Sequence, residues 1–291
     1  EDARSIARLT YPKSGSGYTV GITGAPGAGK STLTSATIGH LRASDTKVAV
    51  LAIDPSSPFT GGAILGDRVR MQDHATDAGV FIRSMATRGH LGGLSLATSE
   101  AIHLLDAVGC PWILVETVGV GQSESTVSKM TDMFLLLLLP GGGDELQGIK
   151  RGIVELADLI LVNKADGTMQ LAAERSATDY RNALMFMHPR TPNWEVPVEI
   201  CSSLNGEQMA HIWELICRFR NNGEASGIIA RARADQAGNW MWNEVSNGLT
   251  ERLKAHPAVA ARATELEQAV RANQVSPTSA ADELMDIFVG K

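Results

Sequence analysis

Cysteine, excess positive charge and long apolar runs are scarce in this chain, and each scarcity removes a class of protein. Its three cysteines, Cys110, Cys201 and Cys217, are odd in number, widely separated and set among apolar neighbours. That pattern suits reduced buried thiols, not a disulfide framework or a metal site. The formal net charge is −6 with both signs interspersed, so neither a nucleic-acid surface nor a polybasic membrane anchor is expected. The longest purely apolar run, Met133 to Leu139, has seven residues, against the roughly 20 that a membrane-spanning helix needs. No secretory pattern opens the chain, and no internal repeat or low-complexity tract is visible. A cytoplasmic protein is expected. At 291 residues the chain has room for one large domain with an appendage.

Against that background one stretch stands out, Tyr18 to Thr32, YTVGITGAPGAGKST. Gly24 to Ser31 completes a GxxxxGK[ST] pattern in which Gly24, Gly27 and Gly29 let the backbone curl, so that N–H groups of Ala25, Pro26-flanking residues and Ala28 face an anion. Pro26 itself has no N–H and shapes the turn. Lys30 is placed to reach the outer phosphates of a nucleotide, Ser31 to ligate Mg²⁺, and Thr32 continues the first turn of a helix whose dipole favours negative charge. The preceding TVGIT reads as the buried strand this motif requires.

A helix from Ser31 to about Arg42 then leads to a second strand, Val48 to Ile53, closing in Asp54-Pro55. Asp54 therefore falls at the carboxyl edge of a parallel sheet, where ligands of open α/β folds bind. The segment PSSPFTGGAILGDRVRM follows without clean periodicity and holds Asp67. Asp54 and Asp67 are candidates either to hold Mg²⁺ or to orient the attacking water, with an ordinary surface loop as the alternative for Asp67. Val80 to Ile82 is a strand candidate, and a helix is expected from about Leu94 to Val108, with His103 as a packing residue and His90 in the loop before it.

Trp112 to Val115 is a buried strand ending in Glu116-Thr117-Val118-Gly119. An acid at a strand tip with a glycine three residues on suits a carboxylate near the metal and a glycine N–H near the γ-phosphate, and Glu116 and Gly119 are the candidates. Gln122, just beyond, lies in a segment that would move as the γ-phosphate leaves. Met133 to Leu139 is the next strand. After it, Asp144, Glu145 and Lys150 sit in a glycine-flanked stretch that reads equally as a moving loop or as a helix start with an acid pair.

Leu159 to Val162 closes in Asn163-Lys164-Ala165-Asp166. A carboxylate at Asp166 can accept from the N1–H and exocyclic amine of guanine, where adenine offers no matching donors, while Asn163 and Lys164 frame the base. Backbone N–H groups of Ser202, Ser203 and Leu204, after a strand at Val196 to Cys201, can meet the guanine oxygen. A helix is expected between them, from about Met169 to Met187. Beyond Gly223 the pattern is helical throughout: Trp242, Val245, Leu249 and Leu253 share a face, as do Val259, Ala263, Leu266 and Val270, and Ala281, Leu284, Met285 and Phe288. Ser276-Pro277 is a cap and first-turn pair for the last helix. The expected fold is α/β, a P-loop NTPase with a mainly parallel sheet flanked by helices, at 18–222. A flexible arm at 1–17 precedes it and a C-terminal helical arm at 223–291 follows.

In this order, GAPGAGKS, DPSSPFTGGAILGDRVRM, ETVGVGQSE, PGGGDELQGIK and NKAD resemble one family, the GTPase chaperones of adenosylcobalamin-dependent methylmalonyl-CoA mutase. The resemblance spans essentially the whole chain. It implies GTP and GDP as ligands with Mg²⁺, a homodimer built through the C-terminal helices, a mutase partner whose cofactor loading and rescue are coupled to hydrolysis, and a further switch in the loop of Asp144, Glu145 and Lys150. The family's longer N-terminal helical extension is short here. Two rivals are a nickel-insertion GTPase of the same wider group, disfavoured by the lack of His-rich or CxxC tracts, and a transport-associated ATPase or simple nucleotide-binding module, of which NKAD argues against the ATPase.

Overall fold

In this computed structural model the described residues are 2–54, 74, 76–86, 91–117, 123–141, 151–187, 189–206 and 208–290, with backbone alone for 2–4, 54, 86, 91–96, 123–124 and 151. They form two compact units, 1–236 and 237–291.

The first unit is built on a seven-stranded sheet, and it confirms the expected class. The strands are β1 (Tyr18–Gly24), β2 (Val48–Asp54), β3 (Val80–Ala86), β4 (Trp112–Thr117), β5 (Met133–Leu138), β6 (Leu159–Val162) and β7 (Val198–Ile200). Their order is β3-β2-β4-β1-β5-β6-β7, and every neighbouring pair is parallel. The helices of this unit are α1 (Asp2–Thr10), which lies against α3, then α2 (Lys30–Arg42), α3 (Leu91–Ala107), α4 (Ser123–Ser128), α5 (Arg151–Val154), α6 (Gln170–Leu184), α7 (Met209–Ala225) and the start of α8 (Ile228–Ala255).

Strands enclosed on both faces must be apolar on both, and β1, β4, β5 and β6 are buried along their whole length. Alternate residues feed opposite layers. Val20, Ile22, Val48, Val50 and Leu114 pack with Leu33 and Ile38 of α2 and with Ile212, Ile216 and Phe219 of α7. Ala49, Leu51, Ile53, Ile113 and Val115 pack instead with Ile102 and Leu105 of α3. All strands being parallel, their carboxyl ends lie along one edge, which brings Gly24, Asp54, Glu116 and Asn163 to the same side of the sheet.

Two expectations change. Residues 2–10 form a helix, and the SGSG stretch expected to be flexible is held by distant partners. The Tyr11 ring lies 5.0 Å from that of His103, and Ser14 Oγ is 3.2 Å from His103 Nδ1. The Asp106 carboxylate accepts from the N–H groups of Gly15 and Gly17. Arg233 donates to the carbonyls of Gly15 and Gly17 and to both oxygens of Asp132, each at 2.7 Å. A glycine-serine composition signals flexibility only when no such partners exist. Beyond these two, α7 forms between the SSLNG turn and Gly223, a stretch for which no element was expected, and runs on to Ala225.

The second unit holds the remainder of α8 with α9 (Pro257–Arg271) and α10 (Pro277–Val289). Ser276 caps α10 as expected, its Oγ accepting from Ser279 N at 3.0 Å. Val259 and Leu266 are buried on α9, with Ala263 and Val270 half-buried on the same face. On α10 the packed side is turned by one position: Ala280 is buried and Leu284, Ile287 and Phe288 half-buried, while Ala281 and Met285 are exposed. Met241, Trp242, Val245 and Leu249 of α8 are exposed, Trp242 at 65%.

Candidate functional site

The loop between β1 and α2 takes the shape its glycines permit. Gly24 has φ +153°, Gly29 has φ +92°, and a Cβ at either would collide, with the Leu137 carbonyl and with Asn163 Nδ2 respectively. Any side chain there would force the loop away from the sheet or from Asn163. Gly29 is also the N-cap of α2, and no side chain caps that helix. The first-turn N–H groups of α2 therefore face the loop without a side-chain acceptor, in the arrangement that binds phosphate.

Lys30 is 7% exposed, and its ammonium donates to the carbonyls of Gly24 at 2.9 Å and Ala25 at 3.1 Å. The side chain thus folds back over the loop that carries it, placing a positive charge at the loop's mouth. Ala28 is fully buried beneath, while Pro26 and Thr32 are exposed.

Glu116, at the tip of β4, is 2% exposed and bracketed by α2. Its Oε1 accepts from Ser31 Oγ at 2.7 Å and its Oε2 from Thr34 Oγ1 at 2.9 Å. Register explains the meeting: Glu116 pairs with Ile22 of β1, two residues before the loop begins. Thr23 and Thr117 share a hydroxyl hydrogen bond at 2.8 Å just beneath. A hydroxyl and a carboxylate side by side form the hard-oxygen donor set that Mg²⁺ selects. Thr34 was not among the expected site residues, although its i+3 spacing from Ser31 puts both hydroxyls on one helix face.

The NKAD segment and the SSLNG turn are knit together. Asn163, 2% exposed, donates from Nδ2 to the Ala28 carbonyl at 2.8 Å and accepts at Oδ1 from Ser203 N and Oγ, at 3.0 and 2.8 Å. It ties the phosphate loop to the loop after β7. Ser202 Oγ donates to Asp166 Oδ2 at 2.7 Å. One such bond leaves a carboxylate capacity for two more donors, as a guanine edge would supply. Lys164 is exposed with φ +62°, and Leu204 is 80% exposed. Cys201 lies against Asn163 Oδ1, and burial pushes its thiol up to about 12, leaving it an uncharged packing group.

Of the remaining expected residues, Asp54 is placed by its backbone at the end of β2, paired with Ala86. Asp67, Gly119, Gln122, Asp144, Glu145, Lys150 and His90 lie outside the described residues.

Comparison with known proteins gives the family. The family profile of methylmalonyl-CoA mutase-associated GTPase MeaB matches residues 1–258. A protein of Caulobacter vibrioides named as a GTPase is 48% identical over 286 residues, covering 98% of this chain and 87% of its own. The mouse methylmalonic aciduria type A homolog, a mitochondrial protein, is 42% identical over 271 residues, covering 93% of this chain and 65% of its own. Among solved structures, one titled LAO/AO transport system kinase is 31% identical with a TM-score of 0.73, covering 99% of this chain and 86% of its own. A nickel-bound HypB from Helicobacter pylori, 17% identical with a TM-score of 0.52 over 76% of this chain and 94% of its own, shares the fold alone. Among the described residues no helix is long and apolar enough to cross a membrane. On the profile match and these identities, the chain belongs to the MeaB family of methylmalonyl-CoA mutase-associated P-loop GTPases.

Proposed function

We propose that this chain hydrolyses GTP as a chaperone of an adenosylcobalamin-dependent methylmalonyl-CoA mutase, gating cofactor loading and protecting or reactivating the mutase. The single observation that carries the nucleotide half is Asn163, which joins the phosphate loop at Ala28 to the turn at Ser203 and so fixes one reading frame for phosphates and base. Family membership supports the partner half. The proposed place of action is the cytoplasm, or the mitochondrial matrix in a eukaryote.

In this reading residues Gly24 to Thr32 cradle the phosphates and Asp166 selects guanine, with Ser202, Ser203 and Leu204 closing on the base. Ser31 and Glu116 fit Mg²⁺ by their donor chemistry and mutual approach, and Asp54 and Asp67 are proposed to complete or serve that set. Bound Mg²⁺ would supply charge neutralisation between the outer phosphates. Lys30 donates to the oxygens that gain charge as the terminal phosphoryl group leaves. Gly119 would donate its N–H to the γ-phosphate, and Gln122 would orient the attacking water.

The test is GTP turnover by the full chain against rising mutase concentration. Stimulation by the mutase is expected, since a partner exploits hydrolysis only by contacting the two nucleotide states differently. We further propose that Asp144, Glu145 and Lys150 form the coupling switch that the family resemblance implies. Lys150→Ala should keep nucleotide affinity within about threefold, as for a residue off the binding site, and lose most of the stimulated increment. Full stimulation in that variant would remove the switch, and no stimulation of the unmutated chain would remove the partner.

A homodimer through residues 223–291 completes the proposal. Trp242, Val245 and Leu249 make an exposed apolar stripe on α8, which a second copy would cover. Light scattering should give a dimer for the full chain and a monomer for a chain ended after Gln236, a cut that spares the Arg233–Asp132 ion pair. A dimer surviving the cut would place the interface elsewhere.

A further inference from the structure

The carboxylate of Glu116 carries two hydrogen bonds from one helix, and only one of them belongs to the residues that the phosphate-loop pattern names. Ser31 Oγ reaches Oε1 at 2.7 Å, and Thr34 Oγ1 reaches Oε2 at 2.9 Å. We infer that Thr34 is a positioning residue for the metal-binding carboxylate: its hydroxyl holds Glu116 so that Oε1 is the oxygen presented beside Ser31. The inference rests on the reading of Ser31 and Glu116 as the Mg²⁺ pair.

Three observations carry it. A glutamate has one more rotatable bond than an aspartate, so at a strand tip its carboxylate can turn, and anchoring one oxygen removes that freedom. Thr34 is fully buried and Glu116 is 2% exposed, so the bond is sheltered from water and neither group has a solvent substitute for the other. A threonine inside a helix ordinarily returns its proton to the carbonyl four residues back, as Thr37 does to Leu33 O at 2.8 Å in this same helix. Thr34 gives its single proton to Glu116 instead. A buried β-branched position in α2 would pack equally well as valine, so packing alone does not account for the hydroxyl.

A group that orients a metal ligand sets the metal's affinity more than the fold's stability. The experiment follows release of a fluorescent GDP analogue from the full chain, chased with unlabelled GDP, across a titration of free Mg²⁺. Glu116→Gln is the reference variant. Thermal melting of each variant without nucleotide runs alongside. Thr34→Val, which keeps the shape and drops the hydroxyl, should raise the Mg²⁺ concentration for half-maximal GDP retention by about tenfold, the usual effect of losing an outer-shell partner. Thr34→Ser should restore the midpoint of the unmutated chain. If Thr34→Val does not fold, Thr34→Ala is read in the same way. A wild-type Mg²⁺ midpoint in Thr34→Val, with Glu116→Gln shifted, overturns the role of Thr34 and leaves the metal reading standing. A shift that Thr34→Ser fails to restore assigns the effect to packing and overturns it too. If Glu116→Gln itself shows no shift, the Mg²⁺ pair is wrong and the inference falls with it.

Discussion

Lys30→Ala should lower GTP affinity by about 100-fold and turnover by a similar further factor, the largest loss expected from any single replacement in this chain. The reasoning starts from the side chain's position. Its ammonium lies over the loop, 2.9 Å from the Gly24 carbonyl and 3.1 Å from that of Ala25, and the residue is almost wholly buried. A charge held there in a sheltered site interacts with phosphate far more strongly than one in open water. Alanine is a better helix former than lysine, so α2 should persist and the melting temperature without nucleotide should change little. Calorimetric titration with GDP and GTP, together with single-turnover hydrolysis, separates the binding loss from the chemical one. Nucleotide affinity within about threefold of the unmutated chain would show that the helix terminus alone binds the phosphates.

The second large effect is expected at Asp166, where the outcome is a change of preference as well as a loss. Guanine offers N1–H and an exocyclic amine to one carboxylate, two charge-assisted bonds worth about 3 kcal/mol together, so Asp166→Ala should weaken GTP by roughly 100-fold and bring it near ATP. Asp166→Asn is more discriminating. An amide presents one acceptor and one donor, which complements the N1–H and the C2 carbonyl of xanthine, so this variant should prefer xanthosine triphosphate over GTP. Ser202 Oγ donates to Asp166 Oδ2, and an asparagine oxygen can accept the same bond, so the turn should remain in place. Competition of each triphosphate against fluorescent GDP reads the preference. Equal affinity of the unmutated chain for ATP and GTP, or an Asp166→Asn variant that still prefers GTP, would remove Asp166 from base selection.

Much of this site was legible before any fold was known, because its parts are local. A glycine-rich turn between a buried strand and a helix is encoded within fifteen residues, Tyr18 to Thr32, and its backbone angles at Gly24 and Gly29 are those only glycine adopts at ease. The cap at Ser276 and the strand at Leu159 to Val162 rest on equally short signals, hydrogen bonding to the next turn in one case and a continuous apolar run in the other. The sequence alone therefore determined the class of fold, the glycine-rich loop between β1 and α2, the acid at the tip of β4 and the Asn163–Asp166 segment that follows β6. Tertiary structure decided how they meet. Asn163 reaches Ala28 across 135 positions, Thr34 reaches Glu116 across 82, and Arg233 closes on Gly15 across 218. Such contacts depend on strand order and register, which place β1 between β4 and β5. No periodicity or spacing within a segment carries that order, because it is selected by the burial of the whole sheet at once.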